Sequence, residues 1–314
     1  QVPERYLNSS IETKLDFSLH ADLTITEVKG AQISPQQKIN TLLSRPVAVK
    51  RYTVTLPPQQ NTFQVSFQGK IHHTIHGPGE EYARSFSYTP GLISEEGVFL
   101  ANSTAWYPQF EQPMVSFQLE VKVPQGWDVV SQGTLLSERQ TNTFQQVVWE
   151  EKQPQDDIYL IAGRFQRYTQ QESTSTTAYV YLRSPDEALA QKYLDTTAQY
   201  IAMYNKLLGP YPYTKFALVE NFWETGYGMP SFTLLGPKVV RFPFILHTSY
   251  PHEILHNYWG NGVFVDYSQG NWSEGLTAYL ADHLVAEQGS KGEEYRRDVL
   301  QKYTDFVNKE KDFP

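Results

Sequence analysis

Short apolar runs alternate with polar turns along the first part of the chain. These runs are rich in β-branched and aromatic residues and are separated by Gly, Pro, Gln and Asn, which predicts strands. We expect strands at 49–56, 63–67, 114–123, 128–136, 144–149 and 158–165. Only residues 35–43 favour a short helix, with Ser34 as N-cap and Pro35 at the first helical position. Residues 1–172 are therefore predicted to form an all-β domain, an antiparallel sheet or sandwich.

The pattern changes near residue 175, where strands and helices begin to alternate. After a strand at 176–182, Ser184 and Pro185 open a predicted helix that ends at Gly209 and Pro210. Buried strands are predicted at 216–221 and 231–235. Helices are expected around residue 252, at 271–288 and at 290–309. Residues 173–314 are therefore predicted to form an α+β domain.

Composition limits the kind of partner. A length of 314 residues suits two domains. The net charge is −8 with no basic run, which disfavours nucleic acid. No cysteine is present, which excludes disulfides and thiolate ligands, and no apolar run is long enough to span a membrane. Oligomeric state leaves no signal in the sequence.

The start of the sequence bears on localisation. It begins at Gln1 without a methionine or a signal-peptide core. An exported, periplasmic protein whose signal has been removed has this form, and so does an internal fragment. We expect export, with a cytoplasmic location left open.

The segment His252-Glu253-Ile254-Leu255-His256 is an HExxH motif. Residues four apart lie on one face of a helix, so His252 and His256 would direct two imidazoles at one point. Glu253 lies a residue further round, in position for a general base. Glu274, 18 residues after His256, offers a third ligand. Two imidazoles and a carboxylate predict one catalytic zinc per chain, held by His252, His256 and Glu274.

Two further groups of residues accompany this motif. The apolar run before residue 220 enters an aromatic, glycine-rich loop, in which Tyr227, Gly228 and Met229 could bind substrate backbone and Glu220 or Glu224 a substrate amine. An ordinary aromatic turn is the alternative. Asp282 follows Glu274 by two helical turns. It either orients a zinc-binding imidazole or lies on a solvated helix face.

A histidine cluster, at 72, 73 and 76, lies outside this region. In a strand, His72 and His73 face opposite sides, so they do not easily share a metal ion. The cluster is interpreted as part of a turn between strands.

Residues 190–288 resemble the aminopeptidase-N-like gluzincins. The resemblance lies in the Leu-Gly-Pro-Tyr-Pro-Tyr turn at 208–213, HEILHNYWGN at 252–261 and Trp-Ser-Glu-Gly at 272–275. It implies a saddle-like β N-terminal domain and a thermolysin-like catalytic domain. A peptidase cleft needs a second wall, so we expect either that the first domain supplies it or that a C-terminal part is absent here. The family's Gly-x-Met-Glu-Asn exopeptidase motif is missing, because Pro230 stands where its amine-binding Glu would be. The family's transition-state tyrosine would lie beyond Pro314.

These observations predict a zinc-dependent metallopeptidase, aminopeptidase-like, that hydrolyses peptide substrates with Glu253 as general base. Whether it cuts at chain ends or internally is left open by Pro230. One alternative is a non-catalytic zinc-containing binding module. Another is a hydrolase of non-peptide substrates on the same scaffold.

Overall fold

The computed structural model describes residues 12–39, 46–77, 87–111, 114–171 and 176–309. The chain divides into two compact units, Gln1–Arg164 and Phe165–Pro314. The division lies eight residues before the predicted boundary at 172. It falls there because β14 (Gln166–Gln171) pairs with β15 (Thr177–Leu182) and so belongs to the second unit.

The first unit is built from strands. Its described residues form β1 (Thr13–His20), β2 (Leu23–Lys29), β3 (Gln32–Ile39), β4 (Val49–Leu56), β5 (Gln64–Gly69), β6 (Gly91–Ile93), β7 (Val98–Leu100), β8 (Gln109–Phe110), β9 (Val115–Pro124), β10 (Asp128–Val130), β11 (Thr134–Gln140), β12 (Phe144–Gln155) and β13 (Leu160–Gly163). Four antiparallel sheets result, with strand orders β3-β4-β1-β8, β10-β13-β7-β6, β11-β12-β9 and β2-β5. A core containing the fully buried Phe17 and Trp149 lies among them. The prediction of a β-rich first domain is therefore confirmed.

Two local predictions in this unit are wrong. Residues 35–39 belong to β3 and not to a helix, because pairing with β4 overrides the local helix-start signal. Residues 40–43 of that predicted helix lie outside the described residues. The single strand predicted at 128–136 is two strands. Gly133 separates them with a φ of 82°, a left-handed conformation that interrupts a strand.

The second unit contains a mixed five-stranded sheet with helices. The strand order is β14-β15-β16-β18-β17, with β16 at Lys215–Glu220, β17 at Gly226–Met229 and β18 at Phe232–Leu235. The central strands β15, β16 and β18 are parallel, and β17 is an antiparallel edge strand.

The helices of this unit are α1 (Glu187–Leu208), α2 (Ser249–Leu255), α3 (Trp272–Ala278), α4 (Leu284–Gln288) and α5 (Gly292–Lys309), with a π-helical segment at Tyr279–His283 between α3 and α4. The helix α1 begins later than the predicted start at Ser184 and Pro185: its N-cap is Asp186, whose side chain accepts from the Leu189 N–H. No described helix has the length and apolar character needed to cross a membrane.

Candidate metal centre

The HExxH motif lies on α2 and the turn that follows it. Ile254 and Leu255 are fully buried, which fixes this helix in the core and leaves His252 and His256 on its other face. Pro251 is the third residue of α2, within the first turn, where a missing N–H costs no helical hydrogen bond. After His256 the chain turns through Gly260, whose φ is 109°.

Glu274 comes from the first turn of α3. The Asn271 side chain caps this helix by accepting from the Glu274 N–H at 3.3 Å. The Ser273 hydroxyl donates to the Trp259 carbonyl at 2.7 Å, and so joins the start of α3 to the turn after α2. Two local contacts therefore hold Glu274 beside the histidines.

The three predicted ligand residues converge on one point. The His252 and His256 Nε2 atoms are 3.1 Å apart. Glu274 lies 3.2 Å from His252 Nε2 through Oε1 and 3.5 Å from His256 Nε2 through Oε2. Among the residues that the structure describes, this is the one group of three or more potential ligands whose donor atoms all lie within 4.8 Å of one another.

The hydrogen bonds of the other ring nitrogens fit a metal site. His252 Nδ1 lies 3.3 Å from Asp282 Oδ1, and His256 Nδ1 lies 3.2 Å from the Trp259 carbonyl oxygen. Both partners are acceptors, so each Nδ1 carries the proton and donates it. The Nε2 lone pairs are then directed at the shared point, which is the arrangement of metal-binding histidines.

The π-helical segment explains how Asp282 reaches His252. At about 100° per residue, eight residues of regular α-helix would place Asp282 about 80° away from Glu274 around the axis. A π-helical turn accommodates one extra residue, which reduces the offset to about 20° on the other side. Asp282 and Glu274 thus face the same histidine, and the Asp282 side chain is partly buried against it, with 30% of its surface exposed.

The charges of this group favour a cation. Burial lowers the pKa of His252, but the hydrogen bonds with Asp282 and Glu274 outweigh it and raise the pKa to about 10. Hydrogen bonds with His252 and His256 hold the pKa of Glu274 well below its usual range. The carboxylates of Asp282 and Glu274, which stabilise positive charge on His252, would also stabilise a divalent cation held by this group.

In a second histidine pair, the facing ring nitrogens are hydrogen-bonded to each other and are not directed at a metal ion. His20 Nε2 and His73 Nε2 are 2.8 Å apart in the first unit. His20 Nδ1, however, accepts the Asp22 backbone N–H at 3.1 Å, so neutral His20 carries its proton on Nε2 and donates it to His73. This pair is a hydrogen bond between neutral rings.

Glu253 lies beside the edge strand β17. A Cβ atom added to Gly228 would lie 2.1 Å from Glu253 Oε2 and 3.8 Å from the His256 ring, so the backbone of β17 passes directly along the carboxylate. Gly228 itself is exposed, whereas Met229 is buried. Of the predicted substrate-binding residues, Gly228 thus contacts the site, with Tyr227 and Met229 on either side of it in the strand.

The other two predicted substrate-binding residues are directed elsewhere. Glu220 is 3% exposed, and its carboxylate accepts from Arg241 at 2.6 Å and from the Arg183 N–H at 2.8 Å. The Glu224 carboxylate accepts from the Lys238 N–H at 3.1 Å. Neither is among the residues that converge with His252 and His256.

Asn257 is a residue of this region that the sequence did not single out. Its Nδ2 donates to the Glu253 carbonyl at 3.1 Å, and its Oδ1 accepts the Ser231 N–H at 2.5 Å. It therefore fastens the turn between β17 and β18 to the helix that carries Glu253. The Trp259 carbonyl was also missed, because a backbone acceptor has no signature in the sequence.

Comparison with known proteins gives the fold. No protein-family model matches the sequence, and no curated protein matches it. An M1 zinc metallopeptidase from Deinococcus radiodurans is 17% identical, with a TM-score of 0.63, over 93% of this chain and 66% of that one. A mutant of it, bound to the substrate Tyr-Ser-Ala, is 16% identical with a TM-score of 0.65. Yeast LTA4 hydrolase is 17% identical, with a TM-score of 0.66, over 95% of this chain and 47% of that one.

These likenesses show a shared fold with zinc metallopeptidases. The chain spans about two thirds of the Deinococcus peptidase and about half of the yeast hydrolase. At the level of fold they agree with the sequence resemblance.

Proposed function

We propose that this chain is a zinc-dependent metallopeptidase whose metal ligands are His252, His256 and Glu274. The convergence of these three side chains, with both Nδ1 atoms on acceptors, carries the proposal. The donor set is that of a catalytic zinc site, in which three protein ligands leave a position open. When bound, zinc supplies a Lewis acid that polarises a carbonyl group and makes a water molecule acidic near pH 7.

Glu253 is the general base in this proposal. Its carboxylate packs against Gly228, next to the His256 ring, and is not one of the three converging ligands. It takes a proton from the attacking water and later delivers it to the nitrogen of the departing amine. A purely structural metal site needs no such group, so Glu253 also argues against a non-catalytic binding module.

The edge strand β17 positions the substrate. Among the described strands it pairs with β18 alone, so its other edge can offer backbone N–H and C=O groups to an extended peptide. Gly228 lies at this edge between Tyr227 and Met229, and its absent side chain leaves room for a substrate beside Glu253. Peptides are therefore the proposed substrates. A non-peptide substrate would make no use of these backbone groups.

The test combines metal analysis with cleavage of a peptide library. The chain should carry zinc and cut peptides. Glu253→Gln should keep zinc and lose about 10²–10⁴-fold in turnover, because it removes proton transfer and preserves shape. Glu294→Gln, a change on the exposed side of α5, is the matched control and should retain full activity. Cleavage by Glu253→Gln at the rate of the unmodified protein would overturn the proposal.

A further inference from the structure

Recognition of a free amino terminus would need a negative group next to the reacting atoms. In a peptide cut after its first residue, the amine nitrogen lies about 2.5 Å from the scissile carbonyl carbon, two bonds away. An ammonium is held by a carboxylate at about 2.7–2.9 Å. A group that binds the amine must therefore lie beside Glu253 and the imidazoles.

The sheet register places Glu220 away from that position. Glu220 pairs with Leu235 of β18, whereas Gly228, which touches Glu253, pairs with Thr233 on the opposite side of the same strand. Two strand spacings and two residues of rise separate the two Cα atoms by about 12 Å. Glu220 is also buried and already bound to Arg241 and the Arg183 N–H.

Glu224 precedes β17 and lies at the end of the β17–β18 hairpin away from its turn, where Glu220 pairs with Leu235. Its carboxylate packs against Gly236 and accepts from the Lys238 N–H. Gly236 is three residues past Thr233, which is about 10 Å along an extended strand. Glu224 thus fixes the loop after β18 and does not face the reacting atoms.

The chain that does pass along Glu253 carries no charge. Gly228 has no side chain, Met229 and Pro230 are buried, and Ser231 has its N–H on Asn257. The other carboxylates shown at this centre, those of Glu274 and Asp282, are bound to the imidazoles. The segment 228–231 therefore presents uncharged backbone to the centre. Uncharged backbone complements a peptide group and not an ammonium ion.

We infer that the substrates are peptides cut at internal bonds, with an uncharged amide preceding the cleaved residue. The inference rests on the proposed function and specifies its substrate class. An acylated amino terminus is then as acceptable as a free one, because no group of the segment 228–231 distinguishes them.

The test uses one peptide in free and N-acetylated form and measures kcat/KM for each with the zinc-loaded chain. We expect the two values to agree within about threefold, because no charge-assisted hydrogen bond is lost on acetylation. An amine-binding carboxylate would instead favour the free form by about 10–150-fold. Glu224→Gln, with Glu187→Gln on α1 as control, should leave the ratio unchanged.

The outcomes separate the two proposals. A free-amine preference of tenfold or more would overturn the inference and leave the peptidase function standing. A ratio that falls in Glu224→Gln would overturn it by showing that Glu224 binds the amine. If neither peptide is cut although zinc is bound, the peptidase function fails and this inference fails with it.

Discussion

Gly228→Ala tests whether the Glu253 carboxylate works where the structure places it. The new Cβ would lie 2.1 Å from Glu253 Oε2 and 3.3 Å from its Cδ. A carbon–oxygen contact tolerates about 3.2 Å, so the carboxylate must move by about 1 Å. Gly228 does not have left-handed backbone geometry, so alanine fits the strand itself. Misplacing a reacting group by about 1 Å costs on the order of 10²-fold in rate.

The assay measures kcat on a peptide substrate together with zinc content and melting temperature. We expect kcat to fall by about 10–100-fold while zinc is retained, since the three ligands do not contact the new methyl group closely. The melting temperature should change by no more than about 4 °C, because the displaced atoms end a flexible side chain. Gly275→Ala, beside Glu274 with nothing near its added Cβ, is the control. Full activity in Gly228→Ala would refute the placement of the general base.

Two other predictions concern metal affinity and acid–base behaviour. Asp282→Ala should weaken zinc binding by about 10–100-fold, because His252 loses the acceptor that orients it. The control Asp298→Ala, at an exposed position, should leave zinc affinity unchanged in the same competitive chelator titration. Burial raises the pKa of Asp157 to about 7, although a hydrogen bond with Tyr159 lowers it. The stability that the protonated Asp157 carboxyl contributes is therefore complete below about pH 4 and is lost as the pH rises through 7. At pH 8, the free energy of unfolding of Asp157→Asn should therefore exceed that of the unmodified chain by up to about 4 kcal/mol, seen as a higher denaturant midpoint. An equal or lower midpoint would contradict this assignment.

The grouping of His252, His256 and Glu274 could be predicted because the spacings that position these side chains are short-range. His252 and His256 are one helical turn apart, and Glu274 follows the cap residue Asn271 within three positions. Spacings of this kind, within one helix, do not depend on tertiary contacts elsewhere in the chain. The role of Asp282 could only be offered as one of two possibilities, because a π-helical segment decides which way it faces. Nothing in the apolar pattern distinguishes a π turn from an α turn.

The failures came where distant contacts decide the outcome. Pro35 and its neighbours carry a helix-start signal, yet pairing with β4 makes them a strand. Glu220 is the last residue of β16, just before the loop predicted to bind substrate, and its partner Arg241 is 21 residues away. No pattern within the loop reveals that partner, so its carboxylate could be interpreted as free.

The central claim is that His252, His256 and Glu274 hold zinc, and metal content tests it most directly. The purified chain should contain one zinc, and His256→Ala should contain none, because two remaining ligands bind zinc weakly. His247→Ala, which alters an exposed histidine shortly before the motif, should keep its zinc. Circular dichroism of each variant reports whether the fold is intact. Full zinc in a folded His256→Ala would contradict the account.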